Sequence, residues 1–406
     1  MAKIVQVKYY NTLIVKSATK EWHVEESRIK GGFNNKSMDY GVRAHIVDKD
    51  YNQQTRTNTL IYSGIYNNRT AVNNTNQFPV DKPITLSVDI QQGGIYKLFA
   101  EDQLLNIFQE EKVRYVPINK DIIYTAEGVP LSTSSNVFLG DVVSYGTNYG
   151  IGKNPESFAY YAGRKYFVDK PKGAVLRLSR DGITEISNYG MRSYFRDNLR
   201  TSTTVLGAWD MYNKDYVISL QGGSENITLT FDESVNGWTS KHSYIPQLAG
   251  SLDGKFYTFK NCDIYEHYAN SEYNKFYGTN YNSEIDFIFN QEPSINKNFV
   301  TINYEGTNTW NISNIETDID SAENIISYDN TKQDTDTDMY LNIFRNFDGK
   351  YHANIINNST VENNEISFGG DISGVKGYFA KMKIKTSATT YQELFSVSTN
   401  FNINSY

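Results

Sequence analysis

The chain has 406 residues and a net charge of −7, with 32 Tyr, 21 Phe, 44 Asn and 28 Gly but only 8 Pro. Aromatic content at this level excludes a disordered chain, and the acidic balance argues against a reader of nucleic acid, which needs a basic footprint. The single cysteine, Cys262, excludes an internal disulfide framework and a cysteine-rich zinc site.

Phe and Tyr suit pleated, half-buried surfaces, while Asn and Gly supply the turns between them, so the expectation is a mainly β chain with very few helices. Residues 1–15 show no charged start followed by a continuous apolar run, so no secretory signal is expected. No stretch reaches ~18 apolar residues, the length of a helical membrane span. An outer-membrane barrel is disfavoured by the missing leader and by strands that are apolar on both faces.

Taken in chain order, Ile84, Leu86, Val88 and Ile90 alternate with Thr85, Ser87 and Asp89. Ile227, Leu229 and Phe231 alternate with Thr228 and Thr230. Val300, Ile302 and Tyr304 do so with Thr301 and Asn303, and Tyr378, Ala380, Met382 and Ile384 with Lys381 and Lys383. Each pattern predicts a short strand with one wet face. The best helical signal runs from Met191 to Leu199, with Asn188 nearby as a cap.

Three segments repeat a strand, turn, strand plan, beginning at Gly163, Gly207 and Gly254, with a weaker relative at Gly94. A period of about 45 residues is that of β-propeller blades, although an ordinary antiparallel meander produces similar spacing. Past Tyr277 the period is lost. Strands are predicted at 283–290, 298–306, 339–344, 351–356, 377–384 and 393–398, with an Asp/Asn-rich linker at 316–338, which suits a separate β-sandwich. The expected organisation is an N-terminal β region over 1–93, propeller-like blades over 94–276 and a sandwich-like domain over 277–406. Trp209, Trp238 and Trp310 are expected in or beside packed sheet faces.

No set of residues stands out as a catalytic, cofactor-binding or metal site. His23, His45, His242, His267 and His352 are isolated in the sequence. Glu266 and His267 are adjacent in a predicted strand and therefore face opposite ways; they read as surface polar groups. Glu101/Asp102 and Glu110/Glu111 fail as glycosidase pairs for the same reason. Asp334, Asp336 and Asp338 resemble the opening of a calcium loop, but Met339 and Arg345 stand where an EF-hand needs Gly and Glu. Cys262 reads as a buried packing residue. The sequons at Asn68, Asn73, Asn226, Asn311 and Asn358 follow from the Asn/Thr-rich composition. Tyr9-Tyr10 and Tyr160-Tyr161 are either strand core or interface anchors.

Several strings are too specific for composition to explain: GGFNN (31–35), LIYSGIYNNRTAVNNTNQF (60–78), FQEEKV (108–113), GIGKNPESFAYY (150–161), YFVDKPKGAVLRLSRDGITEISNYGM (166–191), NGWTSKHSYIP (236–246), FIFNQEPSINKNFVTINYEG (287–306) and SGVKGYFAKMKI (373–384). Together they resemble the tail nozzle, or muzzle, proteins of crAss-like short-tailed bacteriophages, also called stabilisation proteins. The resemblance implies a non-enzymatic virion protein, assembled in the host cytoplasm, at the distal end of the tail barrel. It implies a ring of copies of the chain, a hexamer by analogy, enclosing and gating the channel through which DNA leaves. Other tail-barrel or ring proteins and tail fibres would be its partners, with no specific DNA contact, no cofactor and no membrane insertion. The alternative reading is a carbohydrate-binding or glycan-cleaving β protein.

Overall fold

A computed structural model describes residues 12–16, 22–26, 55–63, 84–124, 130–319, 343–357 and 374–403, with short pieces within 66–78 and 321–327. The chain divides into two compact units, Met1–Lys241 with Ala249–Ser251, and His242–Leu248 with Leu252–Tyr406. Mainly β is the outcome: the described residues hold many small antiparallel sheets and one α-helix.

In the first unit, β1 (Thr12–Lys16) and β2 (Trp22–Glu26) form a hairpin. Next come β3 (Thr59–Ile61), β4 (Tyr66–Asn67), β5 (Val72–Asn73) and β6 (Thr85–Ser87); β3 pairs with β6 and β4 with β5. The strand expected over 84–90 is therefore cut short. Asp89 accepts a hydrogen bond from the Gln91 amide at 3.0 Å and starts a 3-10 turn at Ile90–Gln92, the local competition that Asp offers to strand backbone.

The following sheet has the order β10-β9-β8-β7, from β7 (Ile95–Glu101), β8 (Leu104–Gln109), β9 (Val113–Tyr124) and β10 (Pro130–Leu139), with β11 (Val143–Ser144) also on β9. Two four-stranded meanders come after it. The first is β12 (Ala159–Tyr161), β13 (Arg164–Asp169), β14 (Ala174–Ser179) and β15 (Gly182–Glu185). The second is β16 (Thr204–Asp210), β17 (Asp215–Gln221), β18 (Ile227–Asp232) and β19 (Gly237–His242).

Between the meanders lies α1 (Arg192–Thr201), which buries Phe195 and Leu199, four residues apart on one face. Its cap position is Met191 rather than Asn188, which belongs to the 3-10 turn Ile186–Asn188.

The meanders bear the repeat plan, with a difference at its anchor. Gly163 and Gly254 occupy turns at φ +80° and +76°. Gly207 lies inside β16, where the Ser157 carbonyl comes too close to admit a Cβ. These are sheets of blade size in succession; no closed propeller ring is seen among the described residues.

The core of the meanders is aromatic. Trp209 stacks on Tyr161 (centroids 4.4 Å apart) and on Tyr166 (5.3 Å), and Tyr166 stacks on Tyr216 (4.9 Å). Tyr166 and Tyr216 are fully buried. Trp238 packs against this cluster and donates from Nε1 to the Ile186 carbonyl at 3.1 Å. Strand β20 (Leu248–Leu252) contributes Ser251, whose hydroxyl donates to the Trp209 carbonyl at 2.6 Å.

The second unit opens with a hairpin of β21 (Lys255–Lys260) and β22 (Asp263–Glu266), then the short pair β23 (Lys275–Phe276) and β24 (Thr279–Asn280). Eight strands follow: β25 (Ser283–Phe289), β26 (Lys297–Gly306), β27 (Asn311–Thr317), β28 (Arg345–Phe347), β29 (Lys350–Asn354), β30 (Val375–Gly377), β31 (Ala380–Thr386) and β32 (Leu394–Ile403). One sheet has the order β25-β31-β27; the other is β28-β29-β26-β30 with β32 also on β26. Ile312, Ile315, Met382 and Ile384 of the first join Phe299, Ile302, Tyr304 and Tyr351 of the second in one core, the layering of a β-sandwich.

The pattern on β31 is as the sequence reads, with Ala380, Met382 and Ile384 inside and Lys381 and Lys383 alternating with them. On β26 it is not. A register shift between Phe299 and Thr301 makes Val300 an extra residue, so the inward phase passes from Phe299 to Ile302 and Tyr304. The strand expected at 339–344 lies outside the described residues except for Ile343 and Phe344. Trp310 is buried, with Nε1 donating to the Glu393 carbonyl at 3.0 Å.

Candidate functional site

Two histidines that are distant in sequence share one aromatic cluster in the second unit. The rings of His242 and His267 lie 5.1 and 4.7 Å from that of buried Tyr244, with Phe276 and Phe256 around them. Thr258 Oγ1 and His267 Nε2 are 2.8 Å apart, and the Tyr277 hydroxyl donates to Thr258 at 3.0 Å. Burial pulls both imidazoles down to about 4, with His242 adding to the effect on His267.

His267 is thus an inward-facing residue rather than the surface group its sequence position suggests. Glu266 does face the other way, in an ion pair with Lys255 at 2.8 Å. His352 is half-buried with its ring 6.3 Å from Phe347. His45 and the side chain of His23 lie outside the described residues, as do Asp334, Asp336, Asp338, Tyr9 and Tyr10.

The carboxylates tie down turns and lysines. Glu101 pairs with Lys165 and accepts from the Tyr160 hydroxyl at 3.0 Å. Glu110 pairs with Lys153 at 3.5 Å. A row the sequence gave no reason to group crosses three neighbouring strands: Asp210 is opposite Asp215, and Asp215 opposite Asp232. Asp210 accepts from the Tyr212 amide at 2.8 Å and Asp232 from the Ser234 amide at 2.6 Å, so both cap turns. Burial, then Asp232 and Asp210, push Asp215 up to about 6. Among the described residues no three His, Cys, Asp or Glu side chains group to hold a metal ion.

Cys262 is exposed, not buried. Asn261 and Cys262 form the two-residue turn between paired Lys260 and Asp263, with φ of +54° and +71°. Those are the left-handed values of a type I′ hairpin turn, which Asn signals and Gly usually completes.

The surfaces left open are sheet edges. Tyr160 is partly exposed while Tyr161 enters the aromatic core. In the sandwich, β32 is hydrogen-bonded to β26 and β25 to β31, and each leaves its other side free of paired strands among the described residues. A groove of about 310 Å³ opens between them, lined by Ile288, Phe289, Phe299 and Phe401 with polar residues at its rim. Ile288, Phe395 and Ile403 are 61, 69 and 55% exposed.

Comparison with known proteins relates part of this chain to a family. Residues 271–358 match the family model of the Crassvirus muzzle protein C-terminal domain. The chain is a distant homologue of the crassvirus muzzle protein. Over 247 residues it is 22% identical to the muzzle protein of Bacteroides phage crAss001, an alignment covering 57% of this chain and 17% of that protein. The matched muzzle domain takes in strands from β23 to β29, so β30, β31 and β32 complete its sheets from beyond the matched residues.

Proposed function

We propose that this chain is a structural protein of a phage tail, one subunit of a ring at the distal end of the tail barrel that encloses and gates the DNA-ejection channel. The match of residues 271–358 to the muzzle C-terminal domain carries this reading. In it, six copies form the ring, other barrel or ring proteins and tail fibres adjoin it, and the chain resides in the virion after assembly in the host cytoplasm. It performs no chemistry.

Physical properties support the role. A net charge of −7 suits a wall past which DNA must slide without binding. Successive meanders of blade size suit a propeller, whose sheets expose only short edges. We read them as blades.

The test is a symmetric reconstruction of purified virions. Density for this chain around the axial channel at the tail tip is expected. Absence of the chain from purified virions, or a location away from the tail, overturns the proposal.

A further inference from the structure

Helix α1 breaks two local rules. A helix favours acids in its first turn, where its dipole is positive, yet this one starts with Arg192 and has no acid there. Like charges four residues apart repel, yet Arg192, Arg196 and Arg200 recur at that interval and form one exposed stripe. Such departures from local preference mark places where function sets the residue. The nearby acids are already committed. Arg196 holds Asp197 at 2.8 Å, with Arg200 adding to the field on that carboxylate. Glu185 accepts from the hydroxyls of Tyr149 at 2.8 Å and Ser187 at 2.9 Å. Buried Asp169 accepts from the amides of Gly150 and Lys172. The turn at 170–173 brings two lysines beside the helix, since a Cβ on Gly173 would stand 2.7 Å from the Arg196 Cα.

In a chain of net charge −7 this is a cationic face, and the sequence holds its counterpart. Residues 316–338 have eight acids and one lysine, a net −7 on their own. Two acidic runs alternate there: Glu316, Asp318 and Asp320, then Asp334, Asp336 and Asp338. The first is tied to its sheet, with Glu316 opposite Lys381 and Asp318 accepting from the Tyr378 amide at 2.8 Å. The second lies outside the described residues. Alternate side chains of an extended segment share one side at roughly 6.6–6.8 Å intervals. The arginines of the stripe step by about 6 Å along the helix axis.

We propose that α1 docks a second copy of this chain, whose Asp334, Asp336 and Asp338 lie along Arg192, Arg196 and Arg200. Charge and spacing select this occupant. Arginine suits it, because its planar fork takes a carboxylate through two hydrogen bonds. A stripe on one copy and a run on the next make a head-to-tail contact, the kind that closes into rings; the choice of a copy as partner rests on the ring reading above. The ion pairs fix which surfaces meet and in what register, and the rest of the interface shares the affinity.

The experiment is sedimentation velocity of the full chain across a concentration series, at low and high salt. It compares wild type, Arg192→Glu/Arg200→Glu, Asp334→Lys/Asp338→Lys, and an equal mixture of the two variants. Only the outer pairs are exchanged, so the design holds for either direction of the acidic run. The arginine variant relieves the dipole at the start of α1 and opposes it at the end, which balances helix stability; circular dichroism confirms that both variants fold. Wild type is expected to associate, and less so as salt rises. Each variant alone should associate at least ~10-fold more weakly. The mixture should recover, because the Glu stripe meets the Lys run and the Arg stripe meets the Asp run. A wild type that stays monomeric throughout overturns the proposal, and so does either variant associating as wild type does. A mixture that fails to recover also overturns it; duplex DNA bound by wild type and lost in the arginine variant, read by fluorescence anisotropy, would then assign the stripe to nucleic acid. The ring reading is judged on virions. A chain found at the tail tip while the charge exchange has no effect leaves that reading standing on other surfaces, and a chain absent from virions leaves a working exchange intact.

Discussion

The Tyr166 hydroxyl donates to Glu233 Oε1 at 2.8 Å, joining β13 of one meander to the turn after β18 of the next. Arg177 donates to Oε2 of the same carboxylate at 2.8 Å, and Arg164 stands 3.9 Å from it. One acid thus neutralises two guanidiniums beside a fully buried tyrosine whose ionisation is pushed well above its ordinary range by burial and by this hydrogen bond. Glu233→Leu should lower stability by ~1.5–3 kcal/mol, the worth of charge-assisted hydrogen bonds at a partly buried site. Urea denaturation followed by tryptophan fluorescence measures it, and a loss below about 0.5 kcal/mol would show that the network contributes nothing.

Gly207 tests the contact of β16 with the turn at Ser157. A Cβ at 207 overlaps the Ser157 carbonyl and crowds the Tyr216 hydroxyl. Backbone cannot give way as a flexible side chain does, so Gly207→Ala should cost ~1–3 kcal/mol or more. Gly250→Ala, where nothing stands within 4 Å, should change stability by no more than about 0.5 kcal/mol. Equal melting temperatures for the two variants would contradict the packing.

The Cys262 turn yields two outcomes. An exposed thiol should react with one equivalent of maleimide in the native protein. Cys262→Gly should stabilise the hairpin by ~0.5–1 kcal/mol, because glycine adopts φ +71° without the steric cost a Cβ brings. A thiol reactive only after denaturation would refute the placement.

Acid should weaken the second unit. The rings facing His242 and His267 are neutral: Tyr244, Phe256, Phe276 and, through Thr258, Tyr277, over whose ring Lys260 stands at 4.6 Å. No carboxylate compensates a charged imidazole among these contacts. Both histidines titrate near 4 when folded against an ordinary 6.5. The unfolded chain therefore binds more protons between those values. Stability from these groups is complete above about 6.5 and declines as pH falls toward 4. Asp215 acts in the opposite sense in the first unit. Its folded value is near 6 against 3.8, so its contribution is complete below 3.8 and is lost as pH rises to about 6. Thermal melts of His242→Phe/His267→Phe should lose much of the acid sensitivity seen in wild type; an unchanged pH profile would refute the assignment.

Much of this was legible in the sequence because it rests on period and turn chemistry. The alternation through Ala380, Met382 and Ile384 marks a strand with one wet face, and Trp209 and Trp310 mark packed sheet faces. Three features were not legible, each for a physical reason. The bulge at Val300 takes that residue out of the inward row that Ile302 and Tyr304 continue from Phe299, and alternation alone cannot register an inserted residue. Cys262 looked like a small apolar residue, but its place is set by the Asn261 turn. His242 and His267 are brought together by tertiary packing, to which local pattern is blind. The open side of β32 is likewise a property of sheet order: its lack of charge is visible in sequence, and its edge position is not.

Lys297 shows how a rule on burial is met without a counter-ion. It is fully buried, with Nζ donating to the carbonyls of Glu292 and Ile295, each at 3.0 Å, and standing 5.9 Å from the Phe401 ring. Lys297→Met keeps the length and loses both donors, leaving two carbonyls to find water. A loss of ~1–3 kcal/mol is expected by chemical denaturation.

Strand β26 pairs with β32, whose residues lie roughly a hundred positions further along the chain, whereas the meanders of the first unit pair neighbours joined by short turns. During synthesis each meander can close as soon as its own hairpins emerge, since local pairing is fast. The sandwich has to wait. Until residue 403 has left the ribosome, the edge of β26 that β32 will cover is bare and Phe299 lacks its Phe401 neighbour. The second unit therefore depends on its last strand for completion, and a ribosome stalled before that point holds a finished meander beside an unfinished sandwich.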